Sequence, residues 1–148
     1  MGTRALTFVY SENDKPLVNL YRQYDGYPTG HGAELAEFLS QFAAITNGIA
    51  LGETRRTANG MGCLAAQVVA HFKDSVGGFY IHSVESTDCG QDYEYHVYLG
   101  GVGKEIWVRV KDRGCNMFGL TLSDMDKAIF DGPVSEFVKF CSEEEDYA

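Results

Sequence analysis

The chain has 148 residues, of which 45% are hydrophobic and 13% aromatic, so it is one domain's worth of sequence and can bury a real core. Its net charge of −9 argues against a binder of nucleic-acid polymers, which needs a basic face, while leaving room for a small anion held by a few local arginines. No apolar run approaches the length of a membrane span, and residues 1–10 alternate Thr, Arg and Tyr with apolar residues, unlike an export signal; the expectation is a soluble, intracellular protein.

In chain order, "TRALTFVY" alternates and carries β-formers, which predicts a strand. "SENDK" is a polar turn, and "PLVNLYRQY" a second strand pairing with the first as a hairpin. A glycine-rich joint follows. Then Leu35, Phe38, Leu39, Phe42 and Ile45 fall at helical spacing, with Glu34 and Glu37 near the start, where the helix dipole favours acids. "NGIALGETRRTANG" is expected to be a loop, and Met61, Leu64, Ala65, Val68 and Phe72 one face of a second helix. "GFYIHSVE", "DYEYHVYLG" and "KEIWVRVKD" suggest a three-stranded meander, and "NMFGLTL" a further short strand. "SDMDKAIF" opens on a Ser cap candidate, and "PVSEFVKFC" reads as a closing helix with Pro133 near its first position. The fold class expected is α+β: an antiparallel sheet, made of the N-terminal hairpin and a C-terminal meander, with two main helices on one face. Residues 1–142 would form a single ligand-binding domain and 143–148 an acidic tail.

Cysteines stand at 63, 89, 115 and 141 with no CxxC pair, which favours free thiols over a zinc site.

The joint, "YRQYDGYPTGHGAEL", concentrates chemistry. Gly26, Gly30 and Gly32 permit close backbone approach, and Gly30, His31 and Gly32 fall where a helix would begin, with unpaired N–H groups suited to an anion. Tyr24 and Tyr27 can stack on a flat ring; Asp25 can accept from a base or ribose; His31 can bond a phosphate oxygen. The same residues also make an ordinary turn, with Asp25 on its backbone and the tyrosines at the core's edge. Arg55 and Arg56, before a helix start at Asn59 or Gly60, offer a second phosphate fork, or simply a solvated pair beside an Asn cap. Arg4, beside Tyr21 to Asp25 if the two strands pair, either reaches a phosphate there or pairs with Asp25. His82, His96 and Asp92 are a weak metal set of unspecific spacing, and no Walker, GxSxG or HExxH pattern occurs. No cofactor is indicated.

The combination "GTRAL…YRQYDGYPTGHGAELAEFL", with "NGMGCLAAQ" and "DCGQDYEYHVY", resembles a widespread family of small phage and prophage proteins over residues 2–110. That family is similar to the anti-CBASS nucleotide sponges. The resemblance implies a protein of the infected cell's cytoplasm that sequesters a cyclic dinucleotide immune signal without cleaving it. It implies contacts from Arg4, Tyr24, Asp25, Tyr27, Gly30 and His31, and a homo-oligomer, dimer or tetramer, with pockets between subunits. Two other classes stay open on the residues alone: a nucleotide hydrolase using His31 and Asp25, with or without a metal on His82 and His96, and a structural phage component without a small ligand.

Overall fold

The computed structural model describes residues 2–46, 56–113 and 128–143. Strands β1 (Ala5–Tyr10) and β2 (Pro16–Arg22) form the expected hairpin, in register from Ala5 opposite Arg22 to Val9 opposite Val18. Its turn is held by the Ser11 hydroxyl, which accepts from the N–H groups of Asn13 and Lys15. Later strands are β5 (Phe79–His82), β6 (Tyr93–Gly100), β7 (Glu105–Asp112) and β8 (Ala128–Pro133). With the hairpin they make a six-stranded sheet in the order β5-β2-β1-β6-β7-β8. Every pairing in it is antiparallel except that of β1 with β6. A small parallel pair, β3 (Phe42–Thr46) and β4 (Arg56–Asn59), lies beside it.

Three helices are described: α1 (Ala33–Ser40), entered through a π-helical turn at Pro28–Gly32, α2 (Gly60–Phe72) and α3 (Val134–Glu143). Leu35, Phe38 and Leu39 of α1, Met61, Leu64 and Val68 of α2, and Phe137 of α3 enter one buried cluster with Ala5, Val9, Leu20, Tyr95, Val97, Val108 and Val110 of the sheet. The helices therefore cover a single face, and the architecture is α+β. Each large apolar side chain so buried contributes roughly 1.5–3 kcal/mol.

Three local expectations are corrected. Phe42 and Ile45 do not prolong α1. The helix stops at Ser40, and these residues form β3, still packed against the core; apolar residues three apart suit a short buried strand as well as a helix turn. Within the expected loop 47–60, residues 56–59 are the strand that pairs with β3. The meander begins at β6: β5 goes to the far edge of the sheet against β2, and residues 83–92 recross the sheet's open face to set β6 parallel to β1. That crossing is secured by Asn19, whose amide donates to the carbonyls of Ser83 and Ser86. The strand expected at "NMFGLTL" and the Ser cap of "SDMDK" lie outside the described residues, while Ala128–Phe130 open β8 and are not helical. α3 reaches Glu143, one residue into the expected tail. Cys63, Cys89 and Cys141 are in no disulfide among the described residues. No described helix is long and apolar enough to cross a membrane.

Candidate functional site

The joint is built by close backbone packing. Asp25 takes a left-handed conformation at φ 58°, and the Gly26 N–H donates to the Thr3 carbonyl at 2.8 Å. A Cβ on Gly30 would stand 2.5 Å from the Asp25 carbonyl oxygen, so only glycine fits there. The N–H of Gly30 donates to Tyr27 O at 2.9 Å, that of His31 to Asp25 O at 2.7 Å and that of Gly32 to Tyr27 O at 3.4 Å. The π-helical turn thus consumes the donors that were expected to face an anion.

His31 is likewise turned inward, with 0% of its surface exposed. Arg22 Nη1 lies 3.2 Å from Nδ1, and Thr7 Oγ1 2.7 Å from Nε2. A guanidinium can only donate, so Nδ1 accepts from Arg22 and Nε2 donates to the threonine. Burial first, and the Arg22 charge second, push its pKa down to about 3. The expected phosphate ligand is a neutral core histidine that positions Arg22.

What the joint presents is a cleft of about 400 Å³ lined by Arg22, Tyr24, Glu34, Glu37, Asp74 and Phe79. Arg22 is its floor. The residue is 6% exposed; its guanidinium sits 5.0 Å from the Phe79 ring centre and 5.5 Å from that of Tyr24, and pairs with the Glu34 carboxylate. Its Nε is buried with no hydrogen-bond partner among the described residues. Tyr24, 47% exposed, forms a ring wall, and His71, stacked on Phe38 at 4.2 Å, another. Three carboxylates face one guanidinium, so the cleft favours N–H and O–H donors. An anion would have to displace the half-exposed Glu34 from Arg22.

Of the described residues expected at a site, Tyr24 alone lines this cleft. Tyr27, 39% exposed, donates to Asp25 Oδ1 at 3.3 Å on the outer surface of the joint. Arg4 lies next to the joint along β1, as expected from the hairpin, but its backbone N–H donates to Asp92 Oδ2 at 3.0 Å and its guanidinium sits beside Gly90. It does not line the cleft. Asn59 precedes α2 without capping it through its side chain; instead Glu12, in the hairpin turn, accepts from the Met61 N–H at 2.7 Å. That bond holds the Glu12 carboxyl below its usual range. The anion expected at this helix start is therefore the chain's own. Arg56 lies in β4 and Arg55 outside the described residues. His82 and His96 are separated by β2 and β1, and no group of three or more metal-ligating side chains converges among the described residues.

Arg22 was legible in principle: it shares its strand face with core-facing Leu20, an odd place for a cation. His71 and Asp74 arrive from the end of α2 and carry no local signal.

No protein-family model matches the chain, and neither a curated protein nor a solved structure matches it.

Proposed function

We propose that the chain is a phage immune-evasion protein that captures a cyclic nucleotide of the CBASS-signal type in the Arg22–Tyr24 cleft and holds it without cleaving it, in the host cytoplasm. The observation that carries the reading is the sealed Arg22 guanidinium, flanked by an exposed tyrosine ring and covered only by a displaceable glutamate. A ligand phosphate takes the place of the Glu34 carboxylate, a base stacks on Tyr24, and Glu37 and Asp74 accept from base or ribose donors. The "YRQYDGYP" block that carries the resemblance to the sponges contains both Arg22 and Tyr24. The protein would work as a homo-oligomer; the β5 edge, with Tyr80 and Ile81 exposed, is available for strand pairing.

The test is to incubate the protein with cyclic dinucleotides, remove the unbound fraction, heat, and identify what is released. Intact nucleotide supports capture. An altered nucleotide would replace this reading with a hydrolase, and no retention with a structural component.

A further inference from the structure

The sheet face turned away from the helices carries a second constellation. Phe8 pairs with His96 across β1 and β6, and Glu94 pairs with Lys111 across β6 and β7, so these side chains share that face. Segment 83–92 passes over them and leaves a cavity of about 350 Å³, within the range of small-molecule sites.

Its centre is a buried acid. Glu94 is 6% exposed, and both its oxygens are engaged: Oε1 with His96 Nε2 at 3.0 Å, Oε2 with Gln91 Nε2 at 2.8 Å and Arg113 Nε at 3.4 Å. Burial pushes its pKa up, but the bonds from His96 and Gln91 and the charges of His96 and Arg113 outweigh that, and the carboxyl stays below its usual range. A carboxylate only accepts, so Nε2 of His96 donates to it. Its Nδ1 is hydrogen-bonded to the Tyr10 hydroxyl, 2.6 Å away. The Tyr10 hydroxyl, so anchored, lines the cavity. His96 itself is clamped flat against Phe8, at 5.1 Å and 4° between rings.

Two cations line this cavity. Lys111 lines the cavity and has no hydrogen bond or ion pair among the described residues. Arg113 spends its Nε on Glu94 and also lines the cavity. Arg109, further along β7, belongs to Asp131 at 3.2 Å. Lys111 and Arg113 therefore bring two positive side chains to one cavity in a chain of net charge −9. Pro16 and Val84 supply an apolar wall.

We propose that this cavity is a second ligand site, distinct from the Arg22 cleft, for a small hydroxylated oxyanion of the sugar-phosphate class. Lys111 and Arg113 hold the anion, the Tyr10 hydroxyl bonds a ligand hydroxyl, and Glu94 is the positioning residue that fixes Arg113 and the His96 ring.

Ribose 5-phosphate and inorganic phosphate, titrated separately into the full chain by calorimetry and by amide chemical shifts, test the proposal. Ribose 5-phosphate should bind more tightly than inorganic phosphate and shift amides on β1, β6 and β7. Lys111→Met should weaken it about tenfold or more, with the melting temperature unchanged. Tyr10→Phe keeps the ring and should abolish the preference for the sugar phosphate. Absence of binding at millimolar ribose 5-phosphate, or equal affinity in Lys111→Met, overturns the site. Equal affinity of wild type for the two probes overturns the hydroxyl contact. None of these outcomes depends on nucleotide capture at the other face.

Discussion

Arg22 Nη1 lies 3.2 Å from His31 Nδ1, and both side chains are sealed from solvent between the sheet and the helices. The pair works in one direction only. A neutral imidazole accepts from the guanidinium, whereas an imidazolium would face it with a second positive charge. Arg22 and burial together therefore exclude the charged form of His31.

This gives stability a pH dependence. The folded pKa of His31, about 3, lies below the ordinary histidine value near 6.5. Only the unfolded chain takes up the proton between those values, so stability is full above about 6.5 and falls as pH drops toward 3. Between about pH 7 and 5 the loss should be about 2 kcal/mol. Urea denaturation at the two pH values, in wild type and in His31→Gln, measures it. The variant should be less stable at neutral pH and should lack this part of the slope; parallel slopes in the two proteins would place the titration elsewhere.

Gly30 tests whether the joint's glycines serve backbone packing. A Cβ there meets the Asp25 carbonyl oxygen at 2.5 Å, and that oxygen also accepts the His31 N–H. Gly30→Ala should cost about 1–3 kcal/mol of stability, read as a lowered melting temperature. Unchanged melting would mean that the turn relaxes freely.

Glu12 caps α2 from the hairpin turn, a contact between segments far apart in sequence. Glu12→Ala should cost about 1 kcal/mol at neutral pH. The sign follows from its lowered pKa: the contribution is present above the unfolded carboxylate value and disappears as pH falls through the folded one, so wild type and variant should converge in acid. A constant difference across that range would assign the loss to something other than the ionised cap.

How far the sequence reveals this molecule depends on whether the information is local. The hairpin, α2 and the closing helix follow from alternation, helical spacing and Pro133, because each pattern is set within a dozen residues. The position of β5 is not local: "GFYIHSVE" reads as a strand wherever it pairs, and only the Asn19 bonds to Ser83 and Ser86 show why the chain turns back over the sheet. His31 shows the same limit at the joint. Its neighbours along the chain are glycines, which suggest an open anion site, while its neighbours in space are Thr7, Arg22, Phe72 and Tyr95, which make it core. The Glu94–His96 pair has strand spacing and could have been noticed in "YEYHVY", but Arg113 and Tyr10 join it only through the sheet order.

Glu34 pairs with Arg22 where both line the cleft, so it competes with an anion for the guanidinium. Glu34→Gln removes the charge and keeps the size. Glu34 is half exposed while Arg22 is buried, and the glutamine oxygen still accepts from the guanidinium, so the stability cost should be about 1–2 kcal/mol. Affinity for a cyclic dinucleotide should rise severalfold in calorimetry. A fall in affinity would mean that Glu34 contacts the ligand directly, and the displacement model would be wrong.

Arg22→Met separates the two duties of the guanidinium. Met fills similar space against Phe79 and Tyr24 without a charge to bury, and replacing a buried ion by an apolar side chain is often close to neutral. Glu34 is returned to water at little cost, and the loss falls on His31 Nδ1, an orphaned acceptor costing about 1–3 kcal/mol. Nucleotide capture should weaken by about tenfold to a hundredfold, the value of a charge-assisted phosphate contact. The His31 pKa should rise with the loss of the positive neighbour but remain depressed, because burial is the larger cause. The loss of stability from pH 7 to 5 should therefore persist in Arg22→Met while capture weakens. A variant that still captures the nucleotide at wild-type affinity would remove the cleft as the binding site, whatever its stability.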